Sequence, residues 1–195
     1  MFRKCLLRQE EFRRNALTPE LPATYSVCKW EKVAQKGANG VVGRIVFRGV
    51  AHLNLDAKGR MSFPSRYRDK LMTLCAGELV VTVDPDRCLL VYPLPEWELI
   101  ERKLIALPSL KPQTRRLQRL LMGHATETQL DGSGRILLPP PLRDFASLEK
   151  KTVLIGQGNK FELWDETVWG ERCSQWLEEA AQDFELSEEL ESLSL

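Results

Sequence analysis

Leu55-Asp56-Ala57-Lys58-Gly59-Arg60-Met61-Ser62-Phe63-Pro64 returns seventy-five positions later as Leu130-Asp131-Gly132-Ser133-Gly134-Arg135-Ile136-Leu137-Leu138-Pro139. Both copies keep Leu-Asp-x-x-Gly-Arg, two apolar residues either side of a free position, and a closing Pro. Both run on into Arg-Asp, at Arg68-Asp69 and Arg143-Asp144. Tyr92 precedes Trp97 as Trp164 precedes Trp169, now offset by seventy-two, which fits a shortened connection. Two copies are too few for a solenoid, so the repeat marks a duplicated small domain.

Each copy carries the signals of one order of elements. Alternation of Ala51, Leu53 and Leu55 with Val50, His52 and Asn54 predicts a half-buried strand. Asp56–Gly59 predicts a turn, because Gly accepts φ > 0 and Asp bonds back to nearby N–H groups. Met61–Phe63 predicts a short strand, and Pro64 a first helical position opening Ser65–Leu74. Leu79–Val83 and Cys88–Tyr92 predict a hairpin about Asp84-Pro85-Asp86-Arg87. A helix from Pro95 carries Trp97, Ile100 and Leu104 on one face and ends at Leu107-Pro108. The next helix, Lys111–Met122, has Leu117, Leu120 and Leu121 as its buried stripe and Gly123 at C′. The second unit repeats the order, with a turn at Asp131–Gly134, a hairpin about Gln157-Gly158-Asn159 and a closing helix Glu166–Ala181. The module is β-turn-β-α-β-β-α, an α+β unit.

The expected organisation is a 1–45 extension, a first module at 46–110, a linking helix at 111–124, a second module at 125–182 and an acidic tail at 183–195. Modules of this size bury little core alone and lean on a partner. Net charge is +1, yet the last 25 residues hold one basic residue, Arg172, against eight acidic ones. Five scattered cysteines form no Cys-x-x-Cys, so neither a disulfide framework nor a zinc site is expected, and the default compartment is the reducing cytosol. No apolar run is long enough for a membrane span. Residues 1–45 lack apolar periodicity beyond a short basic stretch at Arg3–Asn15, open to reading as a DNA-binding or membrane-surface arm, a disordered tail or translated upstream sequence.

Phe47-Arg48-Gly49, Asn54-Leu55-Asp56-x-Lys58-Gly59-Arg60, Tyr92-Pro93-Leu94-Pro95-x-Trp97, Gln118-Arg119-Leu120-Leu121-x-Gly123 and Leu154-x-Gly156-Gln157-x-Asn159-Lys160-x-Glu162-x-Trp164 closely resemble the bacterial MraZ family. The resemblance runs from about Phe47 through Leu195. It implies two AbrB/SpoVT-like swapped-hairpin modules interlaced into a pseudo-two-fold β-barrel within one chain. It further implies chains assembled into homo-oligomeric rings on double-stranded promoter DNA with short direct repeats. The family regulates transcription of the division and cell-wall gene cluster, so the expected location is the cytoplasm, associated with the nucleoid. Family chains begin Met-Phe-Arg-Gly, where this one reads Val46-Phe47-Arg48-Gly49; the native start is therefore expected at position 46.

Arg60 and Arg135, just past their turns, present a planar fork suited to phosphate or to the O6/N7 edge of guanine. Gly59 and Gly134 let the backbone turn sharply and approach a partner closely. Asp56 and Asp131 are expected to shape the loop or orient the arginine. Lys58, Arg66, Arg68 and Arg143 are candidate phosphate contacts, with an ordinary solvated helix face as the alternative for Arg66 and Arg68. Ser133 stands in place of Lys58 and Pro141 in place of Arg66, so the second unit is less basic. Arg115, Arg116 and Arg119 bind phosphate or, as the favoured reading, pair with acids such as Glu96, Glu98 or Glu101. Tyr92, Trp97, Trp164 and Trp169 are expected in the core rather than as base-stacking platforms. No phosphate-binding loop, nucleophile elbow or zinc signature is present. His52 and His124 have no acid at a telling spacing, so no enzyme, cofactor or metal is expected. An Asp56–Asp131 couple is the one catalytic alternative, and a ring scaffold without DNA readout is the other.

Overall fold

The computed structural model describes residues 45–108 and 110–182. The short basic stretch at Arg3–Asn15, nearly all of the extension and the acidic tail lie outside the described residues. The first half runs β1 (Phe47–Asn54), β2 (Arg60–Ser62), α1 (Ser65–Cys75), β3 (Glu78–Val83), β4 (Leu89–Pro93) and α2 (Leu94–Ala106). After α3 (Pro112–Leu121) the order returns as β5 (Thr126–Gln129), β6 (Arg135–Leu137), α4 (Pro140–Phe145), β7 (Lys151–Gly158), β8 (Lys160–Asp165) and α5 (Glu166–Gln182). The described chain is α+β and antiparallel throughout.

Six strands form one sheet in the order β1-β7-β8-β4-β3-β5, and β2 pairs with β6 in a separate ribbon. Exchanging each strand for its counterpart in the other half leaves both orders unchanged. β1 of the first half pairs with β7 of the second, Ala51 opposite Leu154, while β5 of the second pairs with β3 of the first, Leu79 opposite Thr128. Each half therefore lends its first strand to the other. The pairings leave β1 and β5 as sheet edges, so closure into the expected barrel is not among them.

The central strands are apolar without alternation because both faces of the sheet are covered. Leu79, Val81 and Val83 enter a core shared with Met61, Phe63, Ile136, Leu138 and Leu142, while Val80 enters a second core with Trp97 and Trp164. Ribbon, α1 and α4 thus lie on one face, and α2 and α5 on the other. β1 has the expected half-buried pattern, with Ala51 and Leu53 turned inward. Tyr92–Trp97 and Trp164–Trp169 each pack with ring centroids 5.8 Å apart, as befits equivalent core positions.

Two local expectations need correction. Pro64 and Pro139 are N-caps rather than first helical residues, their ψ of 138° and 147° being extended. The stripe on α3 is not buried: Leu117 is 39% exposed, and Leu120 and Leu121 are only partly covered. That helix is tied by polar bonds, Gln118 Nε2 to Leu104 O at 2.7 Å and Thr82 Oγ1 to Leu121 O at 2.6 Å. Gly123 stands at C′ as expected, one residue past the C-cap, though not in the left-handed conformation. It follows a right-handed helical Met122, and its place requires Gly because a Cβ would collide with the Arg119 carbonyl. No helix among the described residues is long and apolar enough to cross a membrane.

Candidate nucleic-acid interface

The two repeated turns are built alike. Asp56 Oδ1 accepts the Lys58 and Arg60 backbone N–H groups at 2.8 and 2.9 Å, and Oδ2 accepts Arg60 Nε at 2.7 Å. Asp131 repeats this with Ser133 N, Arg135 N and Arg135 Nε at 2.8, 3.0 and 2.9 Å. The carboxylate therefore shapes the loop and aims the arginine together. Hydrogen bonding to the charged form holds Asp56 down at about 2, the Arg60 backbone N–H first, with the Arg60 side chain and Lys58 N–H adding to it. Asp131 is lowered in the same way, the Arg135 backbone N–H leading. With Nε held, the Arg60 and Arg135 side chains stay partly exposed, at 34% and 35%.

The ribbon brings the turns together. Arg60 faces Leu137, Met61 faces Ile136 and Ser62 faces Arg135, so the two arginines stand at opposite ends of one short duplex of strands. Gly59 O accepts Leu138 N at 2.9 Å, and Gly134 O accepts Phe63 N at 2.9 Å, which fastens each turn to the other half's strand. Both glycines are left-handed, at φ +77° and +70°.

The remaining candidates divide. Lys58 is exposed at the tip of its turn, and Ser133 occupies the matching place. Arg66 is exposed on α1, its Nη2 donating to Val50 O at 3.0 Å and its guanidinium 4.7 Å from the Tyr67 ring centre. Arg68 and Arg143 are half-buried rather than solvated. Their Nε groups donate to Phe63 O at 2.6 Å and Leu138 O at 3.1 Å, and each side chain lies against the other half's turn glycine. Composition and spacing missed that placement. The one available signal was the return of Arg-Asp at the same offset behind each turn.

Of the basic stretch on α3 and its expected partners, Glu96 accepts a bond from Asn159 Nδ2 at 2.7 Å, and Arg115 Nη1 donates to Leu110 O at 2.8 Å. His52 Nδ1 meets Glu166 Oε1 at 2.9 Å, and His124 Nδ1 donates to Leu120 O at 2.9 Å. Asp56 and Asp131 stay in separate turns, each engaged with its own arginine, rather than forming a couple.

The family model for the MraZ protein matches the chain twice, over residues 46–120 and 121–190. A transcriptional regulator MraZ of Halorhodospira halophila is 66% identical over 152 residues, covering 77% of this chain and 100% of that protein. Its counterpart in Thioalkalivibrio sulfidiphilus is 64% identical over 150 residues, with the same coverage. That of Pseudomonas aeruginosa PAO1 is 56% identical over 151 residues, again 77% of this chain and all of the relative. The two model matches meet at the C-terminal end of α3, just ahead of β5, where the strand order begins again; the chain belongs to the MraZ family.

Proposed function

We propose that this protein is a sequence-specific DNA-binding transcriptional regulator, acting as a homo-oligomer on promoter DNA with short direct repeats. Its targets include its own promoter and the division and cell-wall gene cluster. The observation that carries this is the pair of Asp-fixed arginine forks at the two ends of the β2–β6 ribbon. Fixing Nε with a carboxylate leaves the outer guanidinium edge preorganised for guanine or phosphate, so less side-chain freedom is lost on binding. The relatives named as transcriptional regulators support the same function. Arg60 leads the contact, Lys58 and Arg66 anchor the backbone, and Arg135 repeats the role in a less basic setting. Arg68 and Arg143 sit beside the turns, able to add charge there. The protein acts in the cytoplasm, on the nucleoid.

A second reading, a ring scaffold without DNA readout, draws on the apolar surface of α2 and the following loop, where Leu99, Ile105 and Leu110 are 47%, 64% and 87% exposed. Such a patch suits self-association and is compatible with either function. Fluorescence anisotropy of the full chain on DNA from upstream of its own gene separates them. The regulator binds this duplex far tighter than a scrambled one, with affinity falling steeply with salt as counterions are released, and Arg60→Ala removes the preference. Equal, weak binding to both duplexes, unchanged by Arg60→Ala, favours the scaffold.

A further inference from the structure

Each turn is held from the opposite half of the chain. Arg143, on α4, lies across Gly59: a Cβ there would sit 2.7 Å from Arg143 Nε and 2.9 Å from its Cζ. Arg143 Nε donates to Leu138 O, and Leu138 N donates to Gly59 O, so Arg143, Leu138 and Gly59 form a closed triangle. Arg68, on α1, makes the counterpart. A Cβ on Gly134 would meet Arg68 Cδ and Nε at 2.5 Å, Arg68 Nε donates to Phe63 O, and Phe63 N donates to Gly134 O. Each triangle crosses from one half of the chain to the other.

A phosphate-binding arginine needs none of this. It has no reason to direct Nε at a backbone carbonyl or to lie flat on a glycine whose carbonyl is bonded to that same residue. A planar guanidinium with an Nε–H donor can do both at once, whereas the flexible ammonium of lysine offers only a point charge. We infer that Arg143 is a positioning residue for the first turn, which bears Lys58 and Arg60, and Arg68 a positioning residue for the second, which bears Ser133 and Arg135. The DNA consequence rests on the function proposed above; the structural coupling does not. Readout by one module is thereby set by a residue of the other.

The test uses the full chain and variants that keep charge. Hydrogen exchange is followed at the turn amides of Arg143→Lys, Arg68→Lys and the parent. Arg143→Lys speeds exchange at Gly59 and Arg60 but not at Gly134 and Arg135, and Arg68→Lys does the reverse. Binding is then measured to the upstream duplex and to a panel of its single base-pair substitutions. Arg143→Lys weakens discrimination about tenfold at the same base pairs as Arg60→Ala, the scale of losing one bidentate base contact, and spares those governed by Arg135. Parent-like exchange at Gly59 in Arg143→Lys overturns the inference whatever the DNA does. So does a variant pair in which Arg143→Lys binds as the parent while Arg143→Gln weakens every duplex alike, because that is a phosphate contact. Crossed exchange effects in a chain that discriminates no duplex uphold the coupling and reject the DNA function instead. Gly59→Ala, which displaces Arg143 from the other side, must match Arg143→Lys in its exchange pattern; a different pattern also overturns the coupling.

Discussion

Met61 and Ile136 face one another at the middle of the β2–β6 ribbon, both shut from solvent at 0% and 1% exposure. Every strand pairing in the described chain has its image across this pair. The core around it draws on both halves, with Phe63, Tyr67 and Leu71 from one and Leu138, Leu142 and Leu148 from the other. Neither half owns a complete interior.

Met61→Ala therefore acts on the whole described fold. Truncating a fully buried Met leaves a cavity and costs about 2–5 kcal/mol. Urea unfolding followed by circular dichroism and by tryptophan fluorescence shows the midpoint lowered in both signals together, although Trp97 and Trp164 lie in the other core. Two separated transitions would show that the halves unfold independently.

The turn glycines separate by role. Gly59 combines φ +77° with Arg143 packed upon it, so Gly59→Ala meets both backbone strain, roughly 1–2 kcal/mol for the left-handed conformation, and a displaced side chain. Gly132 has nothing within 4 Å of a built Cβ, and Gly132→Ala stays within about 0.5 kcal/mol of the parent. Thermal unfolding of the two variants reads the contrast directly.

That contrast shows what the sequence could and could not disclose. Ala57 stands where the second turn has Gly132, so the repeat itself marks Gly132 as dispensable and Gly59 and Gly134 as required. Asp56 and Asp131 were equally legible, because an Asx turn is made within a few residues of its own chain. Strand partners were not. Nothing local in Ala51 or Leu53 names β7 rather than β3, since pairing energy comes from neighbours distant in sequence. The α3 stripe misled for a related reason: Leu117, Leu120 and Leu121 have helical spacing, yet side-chain hydrogen bonds from Gln118 and to the Leu120 and Leu121 carbonyls help to anchor the helix. Arg68 and Arg143 read as surface cations, because whether an arginine meets water or a glycine depends on the opposite half.

The Asp56 turn predicts a specific response to acid. Its carboxyl is lowered from the ordinary 3.8 to about 2 by bonds to Arg60 and Lys58. A depressed carboxyl contributes in full above its unfolded value and loses that contribution as pH falls through the folded one. The turn is thus indifferent to pH above 3.8 and loosens as pH falls toward 2. Amide and Arg60 Nε resonances followed by NMR stay flat from neutrality and then titrate with a midpoint near 2. In Asp56→Asn that step is gone. A midpoint at 3.8 would mean that the turn bonds do not persist in solution.

Ser133→Lys tests whether the second turn meets DNA at all. Ser133 N and Lys58 N each donate to their Asp Oδ1 at 2.8 Å, so the two side chains leave equivalent positions on equivalent turns. A lysine at 133 then reaches what Lys58 reaches. If both turns face the duplex, the variant binds the upstream duplex tighter at low salt. Its log–log salt dependence steepens by about 0.9 for each new phosphate contact, and Lys58→Ser shallows it by the same amount. Because the gain is electrostatic, tightening extends to scrambled DNA and leaves base discrimination as it was. An unchanged slope for Ser133→Lys beside a reduced one for Lys58→Ser would place DNA on the first turn alone. Arg135 would then keep its Asp131-fixed pose for shaping the ribbon rather than for contact.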